Sequence, residues 1–278
     1  MRQPSGDCDQ LNAVFTPSPL PPVNLNTSES VWIPIRSGTV FVEPGGGLVK
    51  SSEQPVAAPT TFLGSLDGYG VYAIDLHDTS EEGDLEPVNL RKLYGRIPDE
   101  EWVVCGRAEQ IVNYDRTHVY CGRCATPTIT NAHDRGKVCP KCKHMAFPRL
   151  SPAMIVLVER EDEVLLAWGR QFPGRFYSTL AGFVEPGESL EQAVEREVME
   201  EVGLSVSDIK YFGSQPWPFP HSLMCGFHCT YSGGEILIQE EEIVEAGWFK
   251  ATDLPPCPVG GMSIAGWLIQ DWLDRQKN

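Results

Sequence analysis

The chain has 278 residues, of which 41% are hydrophobic and 22% are charged, as in ordinary folded globular proteins. Its formal net charge of −16 excludes a general nucleic-acid coat, because phosphate binding requires clustered Lys and Arg. No apolar run reaches the ~18 residues of a membrane span, and the N-terminus lacks the apolar segment of a signal peptide. We therefore expect a cytoplasmic protein that does not contact membranes.

Residues 1–115 are expected to form a small α/β domain with no recognisable chemistry. Residues 1–30 are polar and contain the proline-rich PSPLPP, which predicts a loose N-terminal arm. Apolar periodicity then predicts several short strands and two helices. The predicted strands cover 31–35, 39–42, 60–63 and 70–76, and the predicted helices cover 90–94 and 100–112.

Residues 116–147 contain two C-x₂-C pairs, Cys121 with Cys124 and Cys139 with Cys142, separated by fourteen residues. This spacing is typical of a zinc ribbon in which four thiolates hold one tetrahedral Zn²⁺. The zinc is expected to be structural, because four protein ligands leave no position open for a substrate. Redox use of one C-x₂-C pair is the alternative.

Basic residues surround these cysteines in an otherwise acidic chain. They either offset the thiolate charge or receive a polyphosphate or an RNA tail, and the sequence leaves both interpretations open. The cluster comprises Arg123, Arg135, Lys137, Lys141, Lys143, His144 and Arg149.

Residues 182–204, GFVEPGESLEQAVEREVMEEVGL, predict a helix from about 189 to 202. A Pro-Gly turn precedes this segment and Gly203 follows it, as expected at the two ends of a helix. On such a helix Glu197, Glu200 and Glu201 share one face, since they lie at i, i+3 and i+4. Three neighbouring carboxylates repel one another unless cations lie among them, so the spacing predicts a site for Mg²⁺ or Mn²⁺. Arg196 is expected to pair with Glu188 or Glu200.

Residues 148–278 are expected to form a mixed sheet between helices. The periodicity predicts strands over 153–158, 163–168, 176–183, 208–213, 224–231 and 246–249, and a closing amphipathic helix over 263–275. Residues 214–222, SQPWPFPHS, cannot form a helix or a central strand, because three prolines interrupt them. This stiff segment presents Trp217 and Phe219 for stacking on a base.

The 182–204 stretch fills every position of the Nudix box, and the chain resembles a Nudix hydrolase. With the four-cysteine ribbon before the box and SQPWPFPHS after it, the chain is similar to the NADH pyrophosphatase branch of that family. The resemblance implies an α/β/α sandwich with a mixed sheet, preceded by the ribbon and the smaller N-terminal domain. It also implies hydrolysis of NADH to nicotinamide mononucleotide and AMP, and removal of an NAD cap from RNA, leaving a 5′-monophosphate.

The resemblance further implies roles for individual residues. Glu197, Glu200, Glu201 and, outside the box, Glu242 would hold the catalytic metals, and Glu201 would activate water. Gly182, Glu188 and Arg196 would support the site. Phe147, supplied by the second subunit of a homodimer, would stack on the nicotinamide opposite Phe183. The remaining substrate-binding candidates are Ile155, Gln215, Trp217, Phe219, Ser222 and Ala265.

Two alternatives remain at this stage. One is a pyrophosphatase for another dinucleotide, such as ADP-ribose or a diadenosine polyphosphate. The other is a non-catalytic nucleotide sensor or RNA-binding regulator that uses the basic ribbon. A binding module does not require the three box glutamates, which favours an enzyme.

Overall fold

A computed structural model describes residues 15–79, 82–131 and 133–277 of the chain. These residues divide into two compact units, 15–149 and 150–277, which we name the N-terminal unit and the C-terminal unit. None of the described helices is long and apolar enough to cross a membrane.

The N-terminal unit contains a seven-stranded sheet followed by two helices. Its strands are β1 (Phe15–Pro17), β2 (Asn26–Arg36), β3 (Thr39–Val42), β4 (Val49–Ser51), β5 (Thr60–Leu66), β6 (Tyr69–Asp75) and β7 (Glu86–Asn89). The strand order is β1-β5-β6-β2-β3-β7, and β4 pairs with β2. Strands β2 and β6 are parallel, and the other pairs are antiparallel. The helices are α1 (Leu90–Leu93) and α2 (Asp99–Thr117).

The prediction of a loose arm over residues 1–30 is wrong for part of that segment, and residues 1–14 lie outside the described residues. Strand β1 forms the edge of the sheet beside β5, and β2 begins at Asn26 beside β6. Local composition predicted a loose chain, but the edge of the sheet supplies hydrogen-bonding partners that the local sequence does not reveal.

The ribbon between α2 and the C-terminal unit is a small antiparallel sheet. It consists of β8 (Ile129–Thr130), β9 (Lys137–Val138) and β10 (Met145–Ala146), with β9 in the centre. The Tyr114 hydroxyl joins α2 to this ribbon, because it donates to the carbonyl of Ala146 at 2.7 Å and accepts from the N–H of Lys137 at 2.9 Å.

The C-terminal unit has a six-stranded mixed sheet and two helices. Its elements are β11 (Ser151–Arg160), β12 (Glu163–Gly169), β13 (Leu180–Phe183), α3 (Leu190–Val202), β14 (Leu204–Trp217), β15 (Ser222–Gly234), β16 (Ile243–Lys250) and α4 (Ile264–Gln276). The strand order is β14-β15-β11-β12-β16, and β13 pairs with β11. Strands β11 and β15 are parallel, and the other pairs are antiparallel.

Two apolar cores lie on opposite faces of this sheet. On one face, Val194 and Val198 of α3 are fully buried against β11 and β15. On the other face, Leu268 and Trp272 of α4 are fully buried with Leu157 and neighbouring residues. The predicted α/β/α sandwich with a mixed sheet is therefore confirmed.

The strands predicted in the C-terminal unit differ in their bounds from those in the structure, and two of these differences have a structural reason. Strand β14 covers fourteen residues where the periodicity predicted only 208–213. Its register shifts at several points, and Asp208 has a φ of 51°, so its apolar residues do not alternate regularly. The strand predicted over 176–183 is limited to β13, with one isolated bridge between Ser178 and Ala167 before it.

The two units repeat one sheet topology. The order β5-β6-β2-β3-β7 with β4 beside β2 corresponds, strand for strand, to β14-β15-β11-β12-β16 with β13 beside β11. Each unit also has one parallel pair at the same place in that order. Eight residues, 52–59, connect β4 to β5, whereas the segment between β13 and β14 includes α3. The N-terminal unit thus has this sheet without the acidic helix, a relationship that the sequence patterns did not reveal.

Candidate metal and nucleotide site

Helix α3 begins and ends at the residues that the sequence indicated. Ser189 caps its N-terminus, where the Ser189 hydroxyl accepts from the N–H of Gln192 and the Gln192 side chain accepts from the N–H of Ser189. Gly203, at a φ of 71°, ends the helix in the left-handed conformation. These two caps fix the ends of the helix that carries Glu197, Glu200 and Glu201.

Three glutamates lie on the face of α3 next to its buried valine stripe. Glu201 is only 5% exposed, whereas the Glu200 side chain is about half exposed. Burial, followed by the charges of Glu197, Glu242 and Glu200, raises the pKa of Glu201 to about 8. Burial also raises the pKa of Glu197. The predicted carboxylate cluster is therefore present, and its charge is only partly neutralised.

Glu242 joins this cluster from a turn outside the helix. Its charge contributes to the raised pKa of both Glu197 and Glu201. The turn is attached to the last turn of α3, since the N–H of Gln239 donates to the carbonyl of Glu201 at 2.9 Å. Helix α3 and this turn together gather four carboxylates.

Arg196 organises one side of the cluster. Its guanidinium bonds Glu188 through two nitrogens, at 2.6 and 2.9 Å, and contacts Glu197 at 2.9 Å and Glu200 at 3.0 Å. It also donates to the carbonyl of Phe183 at 2.9 Å. The hydrogen bonds from Arg196 lower the pKa of Glu188 to about 2. The expected pairing with Glu188 or Glu200 is thus confirmed for both, and Glu197 is a third partner that the spacing did not predict.

Gly182 lets strand β13 approach this helix. A Cβ atom at position 182 would lie 2.0 Å from the carboxyl carbon of Glu197. Any larger residue would have to displace the Glu197 side chain, so the glycine is explained by the space that this carboxylate occupies.

The donor set fits a divalent cation with oxygen ligands. Glu201 and Glu242 have no Lys, Arg or His partner at ion-pair distance among the described residues, so no cationic side chain occupies their carboxyl oxygens. Among the described residues, the four ribbon cysteines are the only group of three or more possible metal ligands whose ligand atoms all lie within 4.8 Å of one another. The carboxylates are spread over a wider face, which suits cations that keep water ligands and bind substrate phosphates.

Exposed or paired aromatic rings lie at the end of β13 and around the end of β14. Phe183 ends β13, directly after Gly182, and its side chain is 56% exposed. Trp217 and Phe219 contact each other edge to face, with ring centroids 5.1 Å apart. Trp217 closes β14, an edge strand, which agrees with the expectation that SQPWPFPHS cannot form a central strand.

The other substrate-binding candidates in the C-terminal unit are buried. Ile155 and Ala265 belong to the apolar core between the sheet and α4. Ser222 is buried at the start of β15, opposite Trp217. The amide of Gln215 donates to the carbonyl of Met262 at 2.7 Å and accepts from the N–H of Ile264 at 2.8 Å. Gln215 therefore anchors the start of α4, and its role in substrate binding stays a prediction.

The four ribbon cysteines form a compact sulfur cluster in the N-terminal unit. The Sγ atoms of Cys121 and Cys142 lie 3.6 Å apart, and those of Cys124 and Cys139 lie 3.5 Å apart. A tetrahedron with Zn–S bonds of about 2.3 Å has sulfur-to-sulfur edges of about 3.8 Å. The cluster therefore fits a structural zinc ion with four protein ligands.

Three members of the basic cluster already have side-chain partners within their own unit. Arg135 donates to the carbonyls of Ser18 and Leu63, Lys137 pairs with Asp115 at 2.7 Å, and Lys143 donates to the carbonyl of Pro140 at 3.0 Å. Phe147, the candidate from a second subunit, is 53% exposed and lies beside Gly136. An RNA contact at the ribbon would thus depend on the remaining basic residues.

Sequence comparisons agree with this architecture. The NUDIX domain matches residues 148–263, the NADH pyrophosphatase zinc ribbon domain matches 116–147, and the NADH pyrophosphatase-like rudimentary NUDIX domain matches 29–113. The third match lies in the N-terminal unit, which has the same sheet topology as the C-terminal unit but lacks a counterpart of the acidic helix α3.

The chain belongs to the Nudix hydrolase family. Within it, the chain is similar to the NAD-capped RNA hydrolase NudC of Pseudomonas fluorescens (strain Pf0-1), at 47% identity over 77% of this chain and 77% of that protein. It is 43% identical to the NAD-capped RNA hydrolase NudC of Pseudomonas aeruginosa (strain LESB58), over 88% of this chain and 90% of that protein. A solved NUDIX hydrolase from Nitrosomonas europaea overlays with a TM-score of 0.49 and 20% identity, covering 57% of this chain and 92% of that chain.

Proposed function

We propose that this Nudix hydrolase cleaves the pyrophosphate of NAD(H) to nicotinamide mononucleotide and AMP, and removes the NAD cap from RNA to leave a 5′-monophosphate. The observation that carries the proposal is the carboxylate cluster on α3. The chain also matches the NADH pyrophosphatase zinc ribbon domain and shares most of its length with relatives named for the capped-RNA activity.

In this proposal Glu197, Glu200, Glu201 and Glu242 hold Mg²⁺ or Mn²⁺. The bound cation would supply a nucleophilic water at neutral pH and neutralise charge on the phosphates. Arg196 keeps Glu188, Glu197 and Glu200 in fixed positions through its four donor contacts. Glu201, the most buried of these four carboxylates, is proposed to take the proton from the attacking water.

The aromatic residues are proposed to select the nicotinamide end. Phe183 presents an exposed ring directly beside the metal-holding face, and Trp217 and Phe219 form a second aromatic surface. Phe147 would complete the stack from the second subunit of a homodimer. Gln215, Ile155, Ser222 and Ala265 would border the nucleotide from the α4 side of the sheet.

The test is incubation of the purified protein with NADH and either Mg²⁺ or Mn²⁺, with products separated by chromatography. Equal amounts of AMP and reduced nicotinamide mononucleotide are expected from NADH, together with 5′-monophosphate RNA from an NAD-capped transcript. Parallel reactions with ADP-ribose and diadenosine polyphosphates measure selectivity. If ADP-ribose or a diadenosine polyphosphate is hydrolysed faster than NADH, that compound becomes the assigned substrate. Binding without hydrolysis of any of these compounds would indicate a regulator.

A further inference from the structure

The turn that carries Glu242 is held from a second side by an arginine that belongs to no sequence motif. Arg170 follows directly after β12, where Gly169 pairs with Ile243 of β16. The N–H of Arg170 donates to the carbonyl of Glu242 at 2.8 Å, and its side-chain Nε donates to the carbonyl of Glu240. One residue thus binds two carbonyls of the acidic turn.

The guanidinium of Arg170 forms no ion pair with a carboxylate among the described residues, although it contacts a turn that contains Glu240, Glu241 and Glu242. The guanidinium instead donates a hydrogen bond to a backbone carbonyl, that of Glu240. This arrangement leaves the carboxylate of Glu242 unneutralised while the 240–241 and 242–243 peptide units are held through their carbonyls.

The opposite side of the turn is attached to α3. The N–H of Gln239 donates to the carbonyl of Glu201, and the N–H groups of Glu242 and Ile243 return to the carbonyl of Gln239 at 3.0 and 2.9 Å. Glu242 itself is exposed, so core packing does not fix its position. Its distance from Glu197 and Glu201 therefore depends on these backbone contacts.

We propose that Arg170 is a positioning residue for the divalent metal site: it clamps the 239–242 turn so that the Glu242 carboxylate faces Glu197 and Glu201. The inference rests on the proposed function insofar as Glu242 is a metal ligand. Arg170 does not touch the metal or the substrate and acts through Glu242.

The direction in which metal affinity changes when Arg170 is replaced distinguishes a positioning role from a purely electrostatic one. Removal of a positive charge near carboxylates, by Coulomb's law alone, strengthens the binding of a cation. Loss of the side-chain contact does the opposite, because Arg170 then holds the turn only through its backbone N–H, and Glu242 shifts from its ligand position. Partners that orient metal ligands typically contribute 10- to 100-fold to metal affinity.

The experiment titrates the zinc-loaded, full-length protein with Mn²⁺ and follows free Mn²⁺ by electron paramagnetic resonance, without substrate. We expect Arg170→Ala to weaken Mn²⁺ binding about ten-fold. Arg170→Lys keeps a donor for the Glu240 carbonyl and should recover most of that loss. Arg175→Ala is the matched control, since Arg175 lies on the same loop but pairs with the Glu245 side chain and Tyr177.

A double-mutant cycle tests whether Arg170 acts through Glu242. Arg170→Ala should add little to the loss that Glu242→Gln causes alone. Wild-type or tighter Mn²⁺ binding by Arg170→Ala, or full additivity with Glu242→Gln, would overturn the inference. If the wild type does not hydrolyse NADH but the variants show the expected changes in Mn²⁺ binding, the proposed function is refuted and the positioning role of Arg170 is retained.

Discussion

The Cα of Gly182 and the carboxylate of Glu197 occupy adjoining space: a Cβ on Gly182 would lie 2.0 Å from the Glu197 carboxyl carbon. Strand β13 therefore approaches α3 so closely that only a glycine leaves room for the carboxylate. The contact joins the first residue of the 182–204 motif to the glutamate face of its helix, across fourteen intervening residues.

Gly182→Ala is expected to lower kcat by about 10- to 100-fold, because the new methyl group displaces a proposed metal ligand. Mn²⁺ affinity should fall in parallel, while the melting temperature changes by only a few degrees. Gly174→Ala is the matched control, since no atom lies within 4 Å of a Cβ at that position. Equal activity in the two variants would contradict the steric argument.

Glu201→Gln is expected to reduce kcat by about 10³-fold, since it removes the proposed proton acceptor. NAD should still bind, because the aromatic surfaces remain, and equilibrium dialysis or calorimetry with the variant measures this. Glu195→Gln, an exposed position on the same helix, should retain wild-type turnover. Near-wild-type turnover by Glu201→Gln would remove this carboxylate from the mechanism.

Divalent-cation affinity should rise as the pH increases from about 6 to 9. Burial and neighbouring charges raise the pKa of Glu201 to about 8, so below that pH a cation must displace a proton from it. Mn²⁺ titrations at several pH values measure the slope, which should flatten in Glu201→Gln. A slope that is the same in both proteins would assign the displaced proton to another group.

The same pKa shift predicts how metal-free stability depends on pH. A carboxyl whose pKa is raised by folding contributes stability below its unfolded pKa of about 4.3, and this contribution is lost as the pH rises through the folded value. Between about pH 4.5 and 8 the metal-free wild type should therefore lose stability relative to Glu201→Gln. Urea unfolding of both proteins across this range, with a chelator that spares the ribbon zinc, checks the difference.

Replacement of Cys139 by Ser is expected to remove the ribbon zinc and to lower the melting temperature of the N-terminal unit. Cys139 is fully buried, and its Sγ lies 3.5 Å from that of Cys124. Metal analysis should change from one zinc per chain to none. Cys257→Ser, at a half-buried thiol outside the ribbon, is the control and should retain zinc. A folded, zinc-free and active Cys139→Ser enzyme would contradict the structural assignment.

Much of the candidate site could be predicted because its parts are local in sequence. The bounds of α3 follow from Ser189 and Gly203, and the i, i+3, i+4 spacing places Glu197, Glu200 and Glu201 on one face. The zinc ribbon follows from two C-x₂-C pairs for the same reason. Strand β14 was predicted too short, because its register shifts obscure the alternation on which the prediction depended.

The sequence by itself determined the acidic helix, the four-cysteine ribbon and the family, since each depends on residues within a few turns of chain. Only the tertiary structure decided that Arg170 binds the turn of Glu242, that Gln215 holds the start of α4, and that the two units share one sheet topology. These relationships join residues distant in the chain, and strand pairing and packing create such contacts without leaving a periodic pattern in the sequence.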